Sequence, residues 1–172
     1  MIPKESIIPI FVPHLGCPYN CIFCDQNRIT GLNKPVTANE VKNTIIGGIE
    51  KTPNCDNRQV AFYGGSFTAI PINLQLELLR SVQPFISEGY IQSIRLSTRP
   101  DAINENILKI LKDNNVKTIE LGAQSLDNNV LLLTRRGHTE QDIINSSKLI
   151  KNWGFKLILQ MMTGLPGDSK EI

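Results

Sequence analysis

No apolar run in this chain approaches the ~20 residues that a helix needs to cross a bilayer. Charge of one sign is missing too: 18 basic and 16 acidic residues leave a net +2, too near balance to argue by itself for a nucleic acid partner. The start Met1-Ile2-Pro3-Lys4-Glu5, followed by only a short apolar stretch, lacks the pattern of a signal peptide. Cysteine is scarce at four residues, and three of them packed into eight positions would make a poor disulfide framework. These absences lead us to expect no membrane and a reducing, cytoplasmic setting in which thiolates stand ready for a metal. Low-complexity segments, a second composition zone and short-period self-similarity are lacking as well. With 172 residues, 41% hydrophobic and 20% charged, residues 1–172 have the size and make-up of one globular domain with a real core.

What is there is concentrated in Cys17-Pro18-Tyr19-Asn20-Cys21-Ile22-Phe23-Cys24, directly after an apolar run. Three thiolates are one short of a closed tetrahedral metal site. In a cluster of four irons they leave one iron open, and an open coordination position lets a metal centre bind and change a substrate. A zinc knuckle completed by His14 or by the distant Cys55 is the competing reading, and reduced bystander thiols are another. Spacing favours the cluster, because zinc sites usually come as two separated pairs, whereas here a three-residue gap is followed by a two-residue gap and then nothing. Cys55, in the polar stretch Thr52-Pro53-Asn54-Cys55-Asp56-Asn57, reads as incidental.

Along the chain, strand and helix patterns alternate. Residues 7–12 form a short β-rich run whose Pro9 suits an edge strand or a strand start. Thr37 with Glu40 three residues on has the capping-box pattern for a helix to about residue 50, with Val41, Ile45, Ile46 and Ile49 on one face and Pro53 ending it. Residues 59–63 make the second strand, stopped by Gly64-Gly65. Leu74, Leu78, Leu79 and Val82 recur at helical spacing up to Pro84, and residues 91–96 read as the third strand. Then come a helix at 104–112, a strand at 117–121, helical stretches at 126–134 and 140–153, and a fifth strand at 155–161. Strands separated by helices of ten or more residues point to parallel pairing, and ligands gather where such strands end.

Each strand end carries residues that are weak signals singly. Gly64-Gly65-Ser66 lets backbone approach a ligand, with N–H groups pointing outward to hold an anionic group such as a carboxylate; an ordinary strand-to-helix turn is the plain alternative. In Ser97-Thr98-Arg99-Pro100-Asp101, either Thr98 or Asp101 suits helix capping, whereas Arg99 is harder to explain that way. Gln124 offers an amide beside the small residues Gly122 and Ala123, and Ser125 reads most simply as an N-cap. The pair Arg135-Arg136 is more often a solvated surface than a site. After Gln160, Met161 and Met162 suit core packing, and we expect it for Met162.

Taken together, these strand ends and the cysteine cadence, with Phe23 just before the last thiol, resemble the radical S-adenosylmethionine (radical SAM) enzymes. The similarity is to the subgroup of the Elongator catalytic subunit and the oxygen-independent coproporphyrinogen dehydrogenases, and it covers nearly the whole chain. It implies an α/β fold, a partial (β/α) barrel with about five of six parallel strands present. It also implies that Cys17, Cys21 and Cys24 hold a [4Fe-4S] cluster and carry the chemistry, with Phe23 against the adenine side of S-adenosylmethionine. By the same resemblance Gly65 and Ser66, with Gly64, match the motif that binds the methionyl amino group. Ser97 or Arg95 occupies the ribose or methionyl contact, Gln124 and Arg136 match later contacts, and Phe11 joins the cofactor-binding set. Gln160 stands where relatives often have an aspartate, and Gly-Gly-Ser replaces the commoner Gly-Gly-Glu, a change familiar in the Elongator-like branch.

The implied reaction is reductive cleavage of S-adenosylmethionine to methionine and a 5′-deoxyadenosyl radical, which takes a hydrogen atom from a substrate. An electron donor such as flavodoxin or ferredoxin is implied; RNA as substrate rests on family analogy alone. A non-catalytic zinc or iron–sulfur module, or an interaction fragment, remains the alternative. Because the chain stops after its fifth strand pattern, a truncated form with an exposed edge, marginal stability or aggregation is expected.

Overall fold

The computed structural model describes residues 5–12, 19–24 and 34–169. The described chain forms β1 (Glu5–Val12), α1 (Ala38–Lys51), β2 (Asn57–Gly64), α2 (Ile72–Ser87), β3 (Ser93–Thr98), α3 (Glu105–Asp113), β4 (Val116–Gln124), α4 (Asn128–Leu133), α5 (Glu140–Asn152) and β5 (Lys156–Met161). Single 3-10 turns at Phe67–Ala69 and Pro100–Ala102 follow β2 and β3. Among the described residues one sheet of five strands runs in the order β1-β2-β3-β4-β5, every neighbouring pair parallel.

That order carries the architecture. Crossovers between parallel strands share one hand, so a sheet that grows in one direction only puts all its helices on one face. The other face is left to line an interior, as in a (β/α) barrel, whereas a reversal of strand order would place helices on both. Burial shows the division. Ile8, Ile10 and Val12 of β1, Val60 and Phe62 of β2, Ile94 and Leu96 of β3, and Ile119 and Leu121 of β4 join α1, α2, α3 and α5 in one core cluster. On the opposite face stand Phe11 opposite Tyr63, Ser97 opposite Glu120, and Gln160 opposite Gly122. Each fully buried Leu or Ile on the helix side contributes roughly 1.5–3 kcal/mol.

Local chemistry sets the element ends. Thr37 and Glu40 form the expected capping box: the Glu40 carboxylate accepts from the Thr37 N–H at 2.7 Å, and Thr37 Oγ1 accepts from the Glu40 N–H at 3.3 Å. Pro9 sits inside β1, which is an edge strand and so tolerates the missing N–H. Several expectations are corrected. Ile46 is 45% exposed, off the packed face that Val41 and Ile45 share. Pro84 does not end α2, which runs on to Ser87; Pro84 and Arg80, whose carbonyl loses its partner, are both exposed, so water can take that bond. The third strand begins at Ser93 and not at 91, and β4 runs on to Gln124. Ser125 does not cap α4: Asp127 does, accepting from the N–H groups of Asn129 and Val130, while Ser125 Oγ accepts from the Asp127 N–H. Asn104, not Thr98 or Asp101, caps α3.

At the far side of the sheet no residue of β5 is fully buried, and among the described residues no further strand pairs with it. No described helix is long and apolar enough to cross a membrane.

Adjacent glycines in α1 give a test of the packing. A β-carbon on Gly48 would lie 2.6 Å from Ile8 Cδ1 and 2.7 Å from Ile8 Cγ1, whereas one on Gly47 would meet nothing within 4 Å. Gly47→Ala is expected to gain about 1 kcal/mol of helix propensity, raising the melting temperature by roughly 2–4 °C. For Gly48→Ala, overpacking of about 1–3 kcal/mol against a buried β-branched side chain outweighs the same gain, so thermal denaturation should shift downward.

Candidate functional site

The C-terminal ends of the strands open on a cavity of about 550 Å³. Its wall contains Phe11, Cys21, Phe23 and Cys24; the turn Gly64, Gly65 and Ser66; and Ser97, Gln124, Arg136 and Gln160 from the later strand ends. The structure thus brings together the residues assigned from the sequence to the cluster and its cofactor, all but Cys17 and Arg95. Cys17 lies outside the described residues, as does His14. Arg95 lies on the same face of the sheet but is not part of the wall. Residues that were not assigned to the site from sequence complete it: Tyr19, Tyr63, Thr98, Arg99, Glu120, Gly122 and Met162. Met162, expected in the core, is 38% exposed and faces this space, a correction that hydrophobicity alone could not have supplied.

On the cysteine side, the Cys24 N–H donates to the Cys21 carbonyl at 3.0 Å, a turn that puts both thiols in the same wall. The Ile22 N–H donates to the carbonyl of Thr134 at 3.2 Å, tying the segment to the end of α4. Arg136, one of the residues that the resemblance assigned to the cofactor, is buried beside them and not on the solvated surface that an arginine pair more often forms. Its Nη2 donates to the Gly122 carbonyl at 2.5 Å and its Nη1 lies 3.7 Å from Cys21 Sγ. Arg136 Nε is buried without a hydrogen-bond partner among the described residues. A buried guanidinium donor is costly to leave unmade, so an orphan of this kind in a cavity wall suits an anionic group brought by a ligand. Gly122 makes room for it: a β-carbon there would sit 2.8 Å from Arg136 Nη2 and 3.1 Å from Gln124 Nε2. Two thiols, a cation and an unmatched donor on one wall fit an iron–sulfur cluster and a carboxylate-bearing cofactor.

The glycine turn works differently from the sequence expectation. The Gly65 N–H donates to the Val12 carbonyl at 3.2 Å, extending the β1–β2 ladder, so it is not a donor held out for an anion. Ser66 Oγ accepts from the Arg99 N–H at 3.2 Å and shares a 2.9 Å hydrogen bond with Thr98 Oγ1, which in turn lies 2.5 Å from Thr68 Oγ1. These buried hydroxyls clamp the ends of β2 and β3 together.

The floor is a carboxylate with partners from three strands. Glu120 Oε1 accepts from Tyr63 Oη at 2.8 Å and from Arg95 Nε at 2.7 Å, and Oε2 accepts from Gln160 Nε2 at 2.8 Å. Gln160 Nε2 is also 3.4 Å from Ser97 Oγ. Burial, with the hydrogen bond to Glu120 next, raises the Tyr63 phenol to about 12. The sequence signal that would have found it is a glutamate set between Ile119 and Leu121 in a strand pattern, and the structure buries it to 6% exposure.

A parallel sheet with helices on one face and thiols at its carboxyl-end mouth defines an α/β half-barrel core. The chain belongs to the radical SAM superfamily, whose sequence profile matches residues 11–172. It is similar to the heme chaperone HemW of Bacillus subtilis, at 29% identity, covering 89% of this chain and 41% of that protein. It is also similar to a tRNA uridine(34) acetyltransferase of Methanocaldococcus infernus, at 36% identity, covering 99% of this chain and 39% of the relative. Among solved structures, an N-terminally deleted Elp3 of Methanocaldococcus infernus superposes with a TM-score of 0.72 at 22% identity, over 99% of this chain and 41% of that one. The coproporphyrinogen III oxidase HemN of Escherichia coli does so with 0.67 at 18%, over 98% and 39%. At these identities the structural matches speak for the fold. The chain spans about two fifths of the length of these curated relatives.

Behind the mouth, His138 is 6% exposed, with Nε2 3.3 Å from the Ala123 carbonyl. Burial first, and then the charge of Arg136, lowers its pKa to about 4. The folded chain therefore holds this imidazole neutral, while the unfolded chain binds a proton below about 6.5. That contribution to stability is complete above about pH 6.5 and is lost as pH falls toward 4. His138→Gln should flatten this part of the curve of unfolding free energy against pH, measured by denaturant titration beside wild type; parallel curves would show that His138 is not the group responsible.

Proposed function

We propose that this chain is the catalytic core of a radical SAM enzyme. In this reading Cys17, Cys21 and Cys24 hold a [4Fe-4S] cluster, and the cavity beside them takes S-adenosylmethionine. The observation that carries the reading is the shared wall in which Cys21, Cys24 and the orphan Nε of Arg136 meet at the ends of parallel strands. When bound, such a cluster supplies one electron to the sulfonium carbon–sulfur bond, releasing methionine and a 5′-deoxyadenosyl radical that abstracts hydrogen from a substrate.

The protein's own residues bind, orient and exclude water. Arg136 offers its unmatched donor to the methionyl carboxylate, and the Gly64–Ser66 turn lines the methionyl end with backbone. Phe11 and Phe23 give the adenosyl part apolar walls. Gln124 and Ser97 present polar groups over a floor whose carboxylate, Glu120, is already satisfied and so does not compete for the ligand. An electron donor of the flavodoxin or ferredoxin kind and a reducing cytoplasm belong to the same reading. RNA is the substrate class we favour, on the likeness to a tRNA-modifying relative.

The test is anaerobic. The chain of residues 1–172, reconstituted with iron and sulfide, reduced with dithionite and given S-adenosylmethionine, is expected to release 5′-deoxyadenosine, and Cys21→Ala to release none. Arg136→Gln should weaken S-adenosylmethionine binding by about tenfold or more, as expected for a lost charged hydrogen bond. A tightly bound zinc ion in place of iron, or a reduced cluster that neither responds to S-adenosylmethionine nor yields 5′-deoxyadenosine, would overturn the proposal.

A further inference from the structure

Tyr19 lies between the first two cysteines in sequence, and its ring is placed by residues from the opposite side of the mouth. The Arg99 guanidinium carbon sits 4.2 Å from the centre of that ring. Arg99 is itself only 3% exposed and held on two sides: Nε donates to Asp101 Oδ1 at 2.6 Å, and Nη2 donates to Asp101 Oδ2 and to the Arg136 carbonyl, each at 3.1 Å. The ring also lies against the Cα of Gly137, where a β-carbon would fall inside contact distance of Cδ1, Cε1 and Cζ of Tyr19, so this position admits the ring only as glycine. Three residues further on, the Ile22 N–H reaches the Thr134 carbonyl. The cysteine segment is therefore seated at two points, one aromatic and one backbone, on elements that follow β3 and β4.

We propose that Tyr19 is a positioning residue, a latch whose ring, stacked on the pre-ordered Arg99, holds segment 19–24 on the mouth and so governs how firmly the thiols keep their metal. A guanidinium locked by a carboxylate and a carbonyl loses little further freedom on stacking, and Arg99 is itself almost wholly out of water, both of which strengthen a cation–π contact. Thiolates on a short loop hold a cluster only as long as the loop stays closed, so the opening equilibrium of the segment sets the rate of metal loss. This consequence rests on the cluster reading above; the latch itself does not.

The experiment has one arm for each. In the metal-free chain, hydrogen exchange at the Ile22 amide should quicken about tenfold in Tyr19→Leu, which keeps bulk but not the π face. Amides of β4 should be unaffected, and Tyr19→Phe, which keeps the aromatic ring, should restore most of the protection. In the iron-loaded chain, Tyr19→Leu should lose iron to a chelator about tenfold faster, again with rescue by Phe. Exchange at Ile22 that is unchanged in Tyr19→Leu, or equally fast in the Leu and Phe variants, overturns the latch. Altered exchange with unchanged iron loss overturns its control of metal retention. A wild-type chain that takes up no iron sinks the proposed function and leaves the exchange arm to decide the latch.

Discussion

The carboxylate of Glu120 is the constraint around which the interior face is arranged. Parallel strands are joined by backbone bonds that fix register but say nothing about what side chains on the open face should do, and a half-barrel leaves that face without helices to cover it. Glu120 accepts from β2, β3 and β5 at once, through Tyr63, Arg95 and Gln160. Arg95 and Glu120 have side-chain exposures of only 16% and 9%, so each needs the other. Removing one partner of so sheltered a pair typically costs about 3–5 kcal/mol, mostly from the charge left behind. The pair itself is weak grounds for stability. What it gives the site is a floor whose polar groups have their bonding capacity taken up and their rotamers fixed.

Above that floor, polar chemistry is sorted by whether it is already satisfied. The hydroxyls of Ser66, Thr98 and Thr68 bond one another and the Arg99 N–H, and Arg99 is consumed by Asp101 and the Arg136 carbonyl. Among the described residues, Arg136 keeps a buried guanidinium donor, Nε, without a partner. A ligand entering this mouth therefore meets rigid, neutralised surroundings with one cationic exception, and that exception lies within 3.7 Å of a thiol. Under the proposed function, this contrast is what would favour a ligand that joins an anionic group to a metal-binding group.

How much of this was legible in sequence depended on the range over which each signal acts. The alternation of elements and the Thr37–Glu40 box are local, so periodicity and capping patterns recovered them, and the cysteine cadence is local too. Element ends were displaced wherever tertiary context decided: α2 passes through Pro84 because that side of the helix meets water, and β4 runs past Leu121 because β5 supplies pairing as far as Gln124. The harder residues were those whose type misleads. Arg136, which composition alone would leave on a solvated surface, was picked out only by the family resemblance and is buried, whereas Met162 read as core yet faces a cavity. Glycine at 65 promised a free N–H that the neighbouring strand in fact uses. Tyr63, Arg95, Glu120 and Gln160 come from four different strands, and only register brings them together.

That separation of ranges bears on how the site is assembled. The cysteine segment by itself could wrap many metals; its short spacing makes ligation a local act that needs little of the fold. Register-dependent groups do the opposite, since the floor and the hydroxyl clamp exist only once four strands have paired. Where the two meet, the joining contacts include the Ile22–Thr134 backbone bond, the Tyr19–Arg99 stack and the approach of Arg136 to Cys21. Thr134 and Arg136, which take two of these contacts, and Gly137, against which the Tyr19 ring lies, all follow α4, a helix of six residues set in place by the Asp127 cap. A short, firmly capped helix is thus the hinge between metal chemistry read from spacing and a cavity read only from topology, and displacement of that one turn would separate the thiols from everything built to receive their ligand.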